Sequence, residues 1–141
     1  RYISRVKAQA YKTSMAPDEL LITADTIVCL GGKVMGKPKD AEGAKAMLRA
    51  LSGQTHQVIT GVTVVTADRT EDFAVTTQVT FAELSEEEID FYVSNYIPFD
   101  KAGAYGIQEW IGMVAVENIR GSYFNVVGLP VQRLYQKLKT F

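Results

Sequence analysis

Apolar and polar positions along this chain alternate between two periods. Near the start, Ile3, Val6, Ala10 and Met15 fall at spacings close to a helical turn. They predict a helix that ends near Ser14, where "MAPDE" signals a turn. "LLITADTIVCL", from Leu20 to Leu30, is β-rich and almost continuously apolar, as in a strand buried on both faces. Gly31 and Gly32 then make a tight turn, and "KVMGKP" returns as a short second strand. Asp40 is suited to cap a helix whose buried stripe is Ala44, Met47, Leu48 and Leu51, with Gly53 as its stop.

The next two runs, "THQVITGVTVVTA" and "EDFAVTTQVTFAEL", are β-branched, and "DRTE" between them predicts an antiparallel hairpin. Ser85 with Glu88 has the form of a capping box, opening a helix that turns Ile89, Tyr92 and Val93 inward. "YIPFDKAGAYGIQ" is irregular. "IGMVAVENIRG" reads as a further strand. Pro130 starts a last helix carrying Val131, Leu134 and Leu138. The pattern has no repeat and no linker. It predicts one α/β domain over residues 1–141, built on a mixed sheet with flanking helices.

Composition changes this picture little. The 141 residues are 47% hydrophobic and 22% charged, with a net charge of −1. That is an ordinary globular balance, without a general surface for nucleic acid or membrane. An anion would be held by a few placed lysines. No apolar run is long enough for a membrane span, and no signal-peptide pattern opens the chain. One cysteine, Cys29, excludes an internal disulfide. The first residue is not Met and lies inside a helical pattern, so further sequence ahead of Arg1 is expected.

Asp25 is the first residue to invite a chemical reading. A carboxylate late in a buried strand is costly unless paired, metal-bound or at the solvent end. It is either a turn-capping aspartate or a general base or magnesium ligand at the mouth of the sheet. Thr26 beside it points to the opposite face. Lys37, between Gly36 and Pro38, can return across the hairpin towards Asp25, as a surface ion pair or a phosphate ligand. In "FDKAGAYGIQ", Asp100 and Lys101 are adjacent charges, and Gln108 offers a donor and an acceptor suited to a base edge. That stretch also reads as a structural loop with a solvated ion pair. Asn125 and Gly128 read as turn formers. His56, the single histidine, reads as a hydrogen-bonding residue at a helix-to-strand connection.

Taken in order, "ADTIV", "MGKPKD", "LSGQTHQVITGV", "VTFAELSEEEIDFYV", "DKAGAYGIQ" and "GSYFNVVGLP" resemble the Maf family over nearly the whole chain. The resemblance implies an inosine-triphosphatase-like fold with a long cleft. It implies hydrolysis of a nucleoside triphosphate to the monophosphate and pyrophosphate, a divalent cation (magnesium or manganese), a cytoplasmic location and, often, a homodimer. Carried over residue by residue, it makes Asp25 catalytic and a metal ligand, with Lys37 and Lys7 (in "SRVKA") beside it. Thr26 and Gln108 become substrate-binding, and Asp100 and Lys101 organise the cleft wall. "ADT" with "GIQ" resembles the branch acting on dTTP and UTP, and modified pyrimidine nucleotides fit the same pattern. The alternative is a nucleotide-binding regulator of septum formation and cell division with little catalysis.

The chain departs from the family twice. Glu109 and Trp110 follow "GIQ" where the family has glycine, which places a carboxylate near the expected base pocket. The family's opening "SxSPRR" segment, with its phosphate loop and two arginines, has no counterpart in residues 1–141, nor has an acidic metal-site residue between that loop and Lys7. The resemblance therefore implies an N-terminally truncated family fold, weak or inactive as residues 1–141 alone.

Overall fold

A computed structural model describes residues 2–12 and 18–141. Its centre is a five-stranded sheet in the order β2-β1-β3-β4-β5, with β1 at Leu21–Leu30, β2 at Lys33–Met35, β3 at Thr55–Val65, β4 at Thr70–Phe81 and β5 at Val116–Arg120. The helices are α1 (Tyr2–Lys12), α2 (Ala41–Leu51), α3 (Glu86–Tyr96), α4 (Trp110–Ala115), α5 (Tyr123–Val127) and α6 (Val131–Thr140). A 3-10 turn spans Ala102–Ala104. No helix among the described residues is long and apolar enough to cross a membrane.

The α/β class is the one the sequence predicts, but the sheet is antiparallel at every pairing rather than mixed. The reason is where β3 docks. Helix α2 leads from β2 to β3, and these two strands do run parallel. However, β3 pairs with β1, so β1 lies between them and no parallel ladder forms. Both predicted hairpins are present. Gly31 and Gly32 have φ of 58° and 80°, the left-handed pair that a two-residue turn requires.

The predicted caps also form. Asp40 accepts from the Gly43 N–H at 2.8 Å, and Ser85 and Glu88 close a reciprocal capping box on α3. Ala44, Leu48 and Leu51 are buried on α2, and Ile89, Tyr92 and Val93 on α3.

Several expectations are corrected. On α1, Ser4 and Ala8 are fully buried, while Ile3 and Val6 are 48% and 50% exposed. The helix lies against threonines, Thr23 and Thr63. Small and hydroxyl-bearing residues fit closely there, and Ser4 Oγ bonds Thr63 Oγ1 at 2.7 Å. The side chain of Ala10, Met15, Ser14 as a helix end and the "MAP" of the predicted turn lie outside the described residues. Strand β1 is mostly half-buried rather than buried on both faces. On α6 only Leu134 is buried; Val131 and Leu138 are exposed.

The largest correction is at "IGMVA", read as the start of a strand and found within α4. A Cβ added to Gly112 would lie 1.8 Å from the Ile107 carbonyl oxygen, so the chain coils closely over its own preceding turn. The strand begins only at Val116. His56 sits within β3, not in a connection.

One face of the sheet receives α1. The other carries two apolar clusters placed end to end. One gathers Val28, Val58, Val79 and Phe81 with α2, α3 and α4. The second gathers Val62, Val64 and Phe73 with Leu134 of α6. Between them runs a polar band. Thr26 and Thr60 share a hydrogen bond at 2.9 Å, and buried Asn125 of α5 donates through Nδ2 to Val58 O, Val75 O and Thr77 Oγ1. Asn125 thus has the structural role the sequence suggests, but as a clamp between two strands.

Candidate active site

A cleft of about 400 Å³ opens over this polar band, beside the edge of β1. Its volume falls within the range of small-ligand sites. Asp25, Thr26, Lys37, Asp100, Lys101 and Gln108 all line it. Lys7 reaches it through Asp25, with Nζ 3.4 Å from Oδ1. Seven residues chosen from sequence, drawn from four separate stretches of chain, therefore converge on one place.

The local reason begins with β2, which pairs only with Val28 to Leu30 of β1. Among the described residues no strand lies beside the rest of that edge, so Asp25 stands where β1 is open. This answers the cost of a carboxylate in an apolar strand: Asp25 is partly solvated and faces an ammonium group. That ammonium belongs to Lys7 of α1, which also donates to Ala24 O at 3.3 Å. Lys37 lines the same cleft from the residues after β2, on the side of Asp100. A hydrogen bond from Lys101 holds the Asp100 carboxyl below its usual range, and the charge of Lys37 adds to that effect.

The loop from Asp100 to Gln108 forms a wall. Tyr105 is buried within it, and its hydroxyl shares a 2.6 Å hydrogen bond with His56 Nε2. Burial holds the His56 pKa down to about 4 and pushes the Tyr105 phenol up. Both are therefore neutral at physiological pH, and neither carries charge to a substrate. Gln108 is exposed at the rim. Val126 and Val127 of α5 supply an apolar surface. Sequence reading missed Tyr105, Val126 and Val127 as cleft residues. The one signal for them is their place inside the two most specific segments, "DKAGAYGIQ" and "GSYFNVVGLP".

Glu109 does not border the cleft as the sequence suggests. Its carboxylate accepts a 2.6 Å hydrogen bond from Tyr92, and Trp110 packs edge-on against Phe91, with ring centroids 4.8 Å apart. Glu109 and Trp110 are both turned towards α3.

Residues 1–141 match the family model described as "Maf-like protein". The chain belongs to the Maf family. A dTTP/UTP pyrophosphatase of Phocaeicola vulgatus is 62% identical over 138 residues, covering 98% of this chain and 72% of that protein. One of Parabacteroides distasonis is 61% identical over 140 residues, covering 99% and 72%. One of Porphyromonas gingivalis is 54% identical over 142 residues, covering 99% and 71%. At such identity, the Maf chain and these relatives share one fold.

The Maf cleft also bears on metal binding. No group of three or more His, Cys, Asp or Glu that could hold a metal ion occurs among the described residues. Among the described residues, the carboxylates lining the cleft are Asp25 and Asp100. One or two carboxylates, completed by water and phosphate oxygens, is the donor set of magnesium or manganese at a nucleotide. The residues present fit such a hard cation and not a site made wholly by protein ligands.

Proposed function

We propose that this protein hydrolyses pyrimidine nucleoside triphosphates, UTP and dTTP or their modified forms, to the monophosphate and pyrophosphate. The observation that carries the reading is the convergence of two carboxylates, three lysines and an exposed glutamine on a nucleotide-sized cleft. The names of the relatives support it. Because those names are of enzymes, the reading as a septum-formation regulator with little catalysis is not favoured.

The chemistry needs charge neutralisation and alignment more than covalent participation. Asp25 takes the proton of the attacking water and would hold the divalent cation. Lys7 fixes the direction of that carboxylate and meets phosphate. Lys37 and Lys101 neutralise the triphosphate, and Asp100 keeps their ammonium groups spaced. What magnesium or manganese supplies when bound is charge compensation of the phosphate oxygens. Thr26 and Gln108 meet the base, whose flat face rests on Val126 and Val127.

The test is a nucleotide panel with pyrophosphate detection on the full gene product. UTP and dTTP should turn over ahead of ATP and GTP. Absence of pyrophosphate release from every nucleotide would overturn the reading. A preference for a purine nucleotide would overturn the roles given to Thr26 and Gln108.

A further inference from the structure

Residues 106–109 form a turn closed by a hydrogen bond from the Glu109 N–H to Gly106 O at 3.0 Å. Ile107 is buried in the core below it, and Gln108 is the exposed residue of the four. Both ends of this turn are held by one atom. The Tyr92 hydroxyl accepts the Gly106 N–H at 3.0 Å and donates to Glu109 Oε1 at 2.6 Å. Tyr92 itself is immobilised: its side chain is fully buried on α3 and its ring stacks on Tyr96 with centroids 5.1 Å apart. Buried tyrosine hydroxyls need partners, but a core tyrosine can find them anywhere. Here both partners flank the residue that meets the ligand.

We infer that Tyr92 and Glu109 are positioning residues for base selection, clamping the 106–109 turn so that Gln108 presents its amide to the nucleobase in one orientation. The inference rests on the pyrimidine-nucleotide reading of the cleft. Two contacts distinguish a clamp from ordinary packing. The Gly106 N–H fixes where the turn begins. The Glu109 carboxylate, anchored to the same oxygen, fixes where it ends, and Gln108 is left one rotatable side chain. Preordering of this kind raises affinity by removing an ordering cost at binding. It acts on the ligand that uses the Gln108 amide and hardly at all on one that does not.

Affinities are measured by calorimetry with α,β-methylene analogues of UTP and ATP in the presence of magnesium, so that turnover does not enter. The proteins are the full gene product and its Tyr92→Phe, Glu109→Ala and Glu109→Gln variants. Tyr92→Phe should weaken the UTP analogue about five- to twentyfold, the value of one or two lost hydrogen bonds, and the ATP analogue by about twofold or less. Glu109→Ala breaks the clamp from the surface, without touching the core, and should shift the ratio the same way. Glu109→Gln keeps an acceptor oxygen and should restore most of the selectivity. The inference is overturned if Tyr92→Phe and Glu109→Ala keep the wild-type ratio, or weaken both analogues equally. It is also overturned if the wild-type protein binds the two alike. Selective binding without pyrophosphate release from UTP would sink the hydrolysis reading and leave the clamp standing. Normal turnover with an unaltered ratio in both variants would do the reverse.

Discussion

Lys7 Nζ lies 3.4 Å from Asp25 Oδ1 and 3.3 Å from the Ala24 carbonyl, so one ammonium group ties α1 to the open edge of β1. The Lys7 side chain is half exposed. Such a pair contributes about 0–1 kcal/mol to stability. Its value is directional: the carboxylate is held at the cleft while remaining partly solvated.

Asp25→Asn should therefore lower kcat about 100- to 10,000-fold with the fold intact, because the change is nearly isosteric and removes only charge and basicity. Lys7→Met should raise KM and lower kcat together, with a melting temperature close to wild type. Steady-state kinetics with UTP and a thermal melt decide both. Unchanged turnover in Asp25→Asn would remove this residue from the mechanism.

His56 predicts an acid limit to stability. Its pKa is held down to about 4 by burial, against about 6.5 in the unfolded chain. Between those values the unfolded state binds the proton and the folded state does not. Stability is thus fully present above about pH 6.5 and is lost as pH falls towards 4, by an amount on the order of 3 kcal/mol. Urea unfolding from pH 7 to 4 should show the loss, and His56→Gln should flatten it. An identical slope in the variant would assign the acid limit to other groups.

Gly112→Ala should destabilise the protein by about 2 kcal/mol or more, since the new methyl meets the backbone oxygen of Ile107 rather than a movable side chain. Displacing Ile107 also moves its neighbour Gln108. Discrimination between UTP and ATP should fall along with the melting temperature. A variant as stable as wild type would mean that α4 can slide without cost.

Asn125→Asp replaces a donor that serves two carbonyls and a hydroxyl with an acceptor facing them. The expected loss is about 2 kcal/mol or more, larger at neutral than at acid pH, where a protonated carboxyl regains one donor. Denaturant titrations at pH 7 and 4.5 check it.

Much of this was legible from residue chemistry that acts locally. Asp40, Ser85 with Glu88, and the Gly31–Gly32 pair announced caps and a turn, because those groups bond within four residues of themselves. Asp25, Lys37 and Gln108 were legible as residues of one cleft because their flanking motifs resemble a family. What stayed hidden depends on distant neighbours. Ser4 is buried where Thr23 and Thr63 bond it, and no helical periodicity reports that. "IGMVA" has strand-like side chains, and the contact that coils it, Gly112 on Ile107, is a matter of backbone clearance. Lys37 was expected to return to Asp25, but Lys7 has that place. Tyr92 looked like core alone until its hydroxyl was seen to face the 106–109 turn.

Asp25 and Thr26 are consecutive, and they leave β1 on opposite faces: one meets α1, the other meets Thr60 and α5. Asp25 stands opposite Gly61 and Thr26 opposite Thr60 in the β1–β3 ladder. A slip of one residue along that ladder would exchange the two, setting a charge against Thr60 and turning Thr26 towards Lys7. Strand alignment here is thus a chemical address as well as a packing arrangement. An insertion or deletion between Asp25 and Val28, where β2 fixes the far end of β1, would take Asp25 off the cleft while the rest of the sheet still pairs.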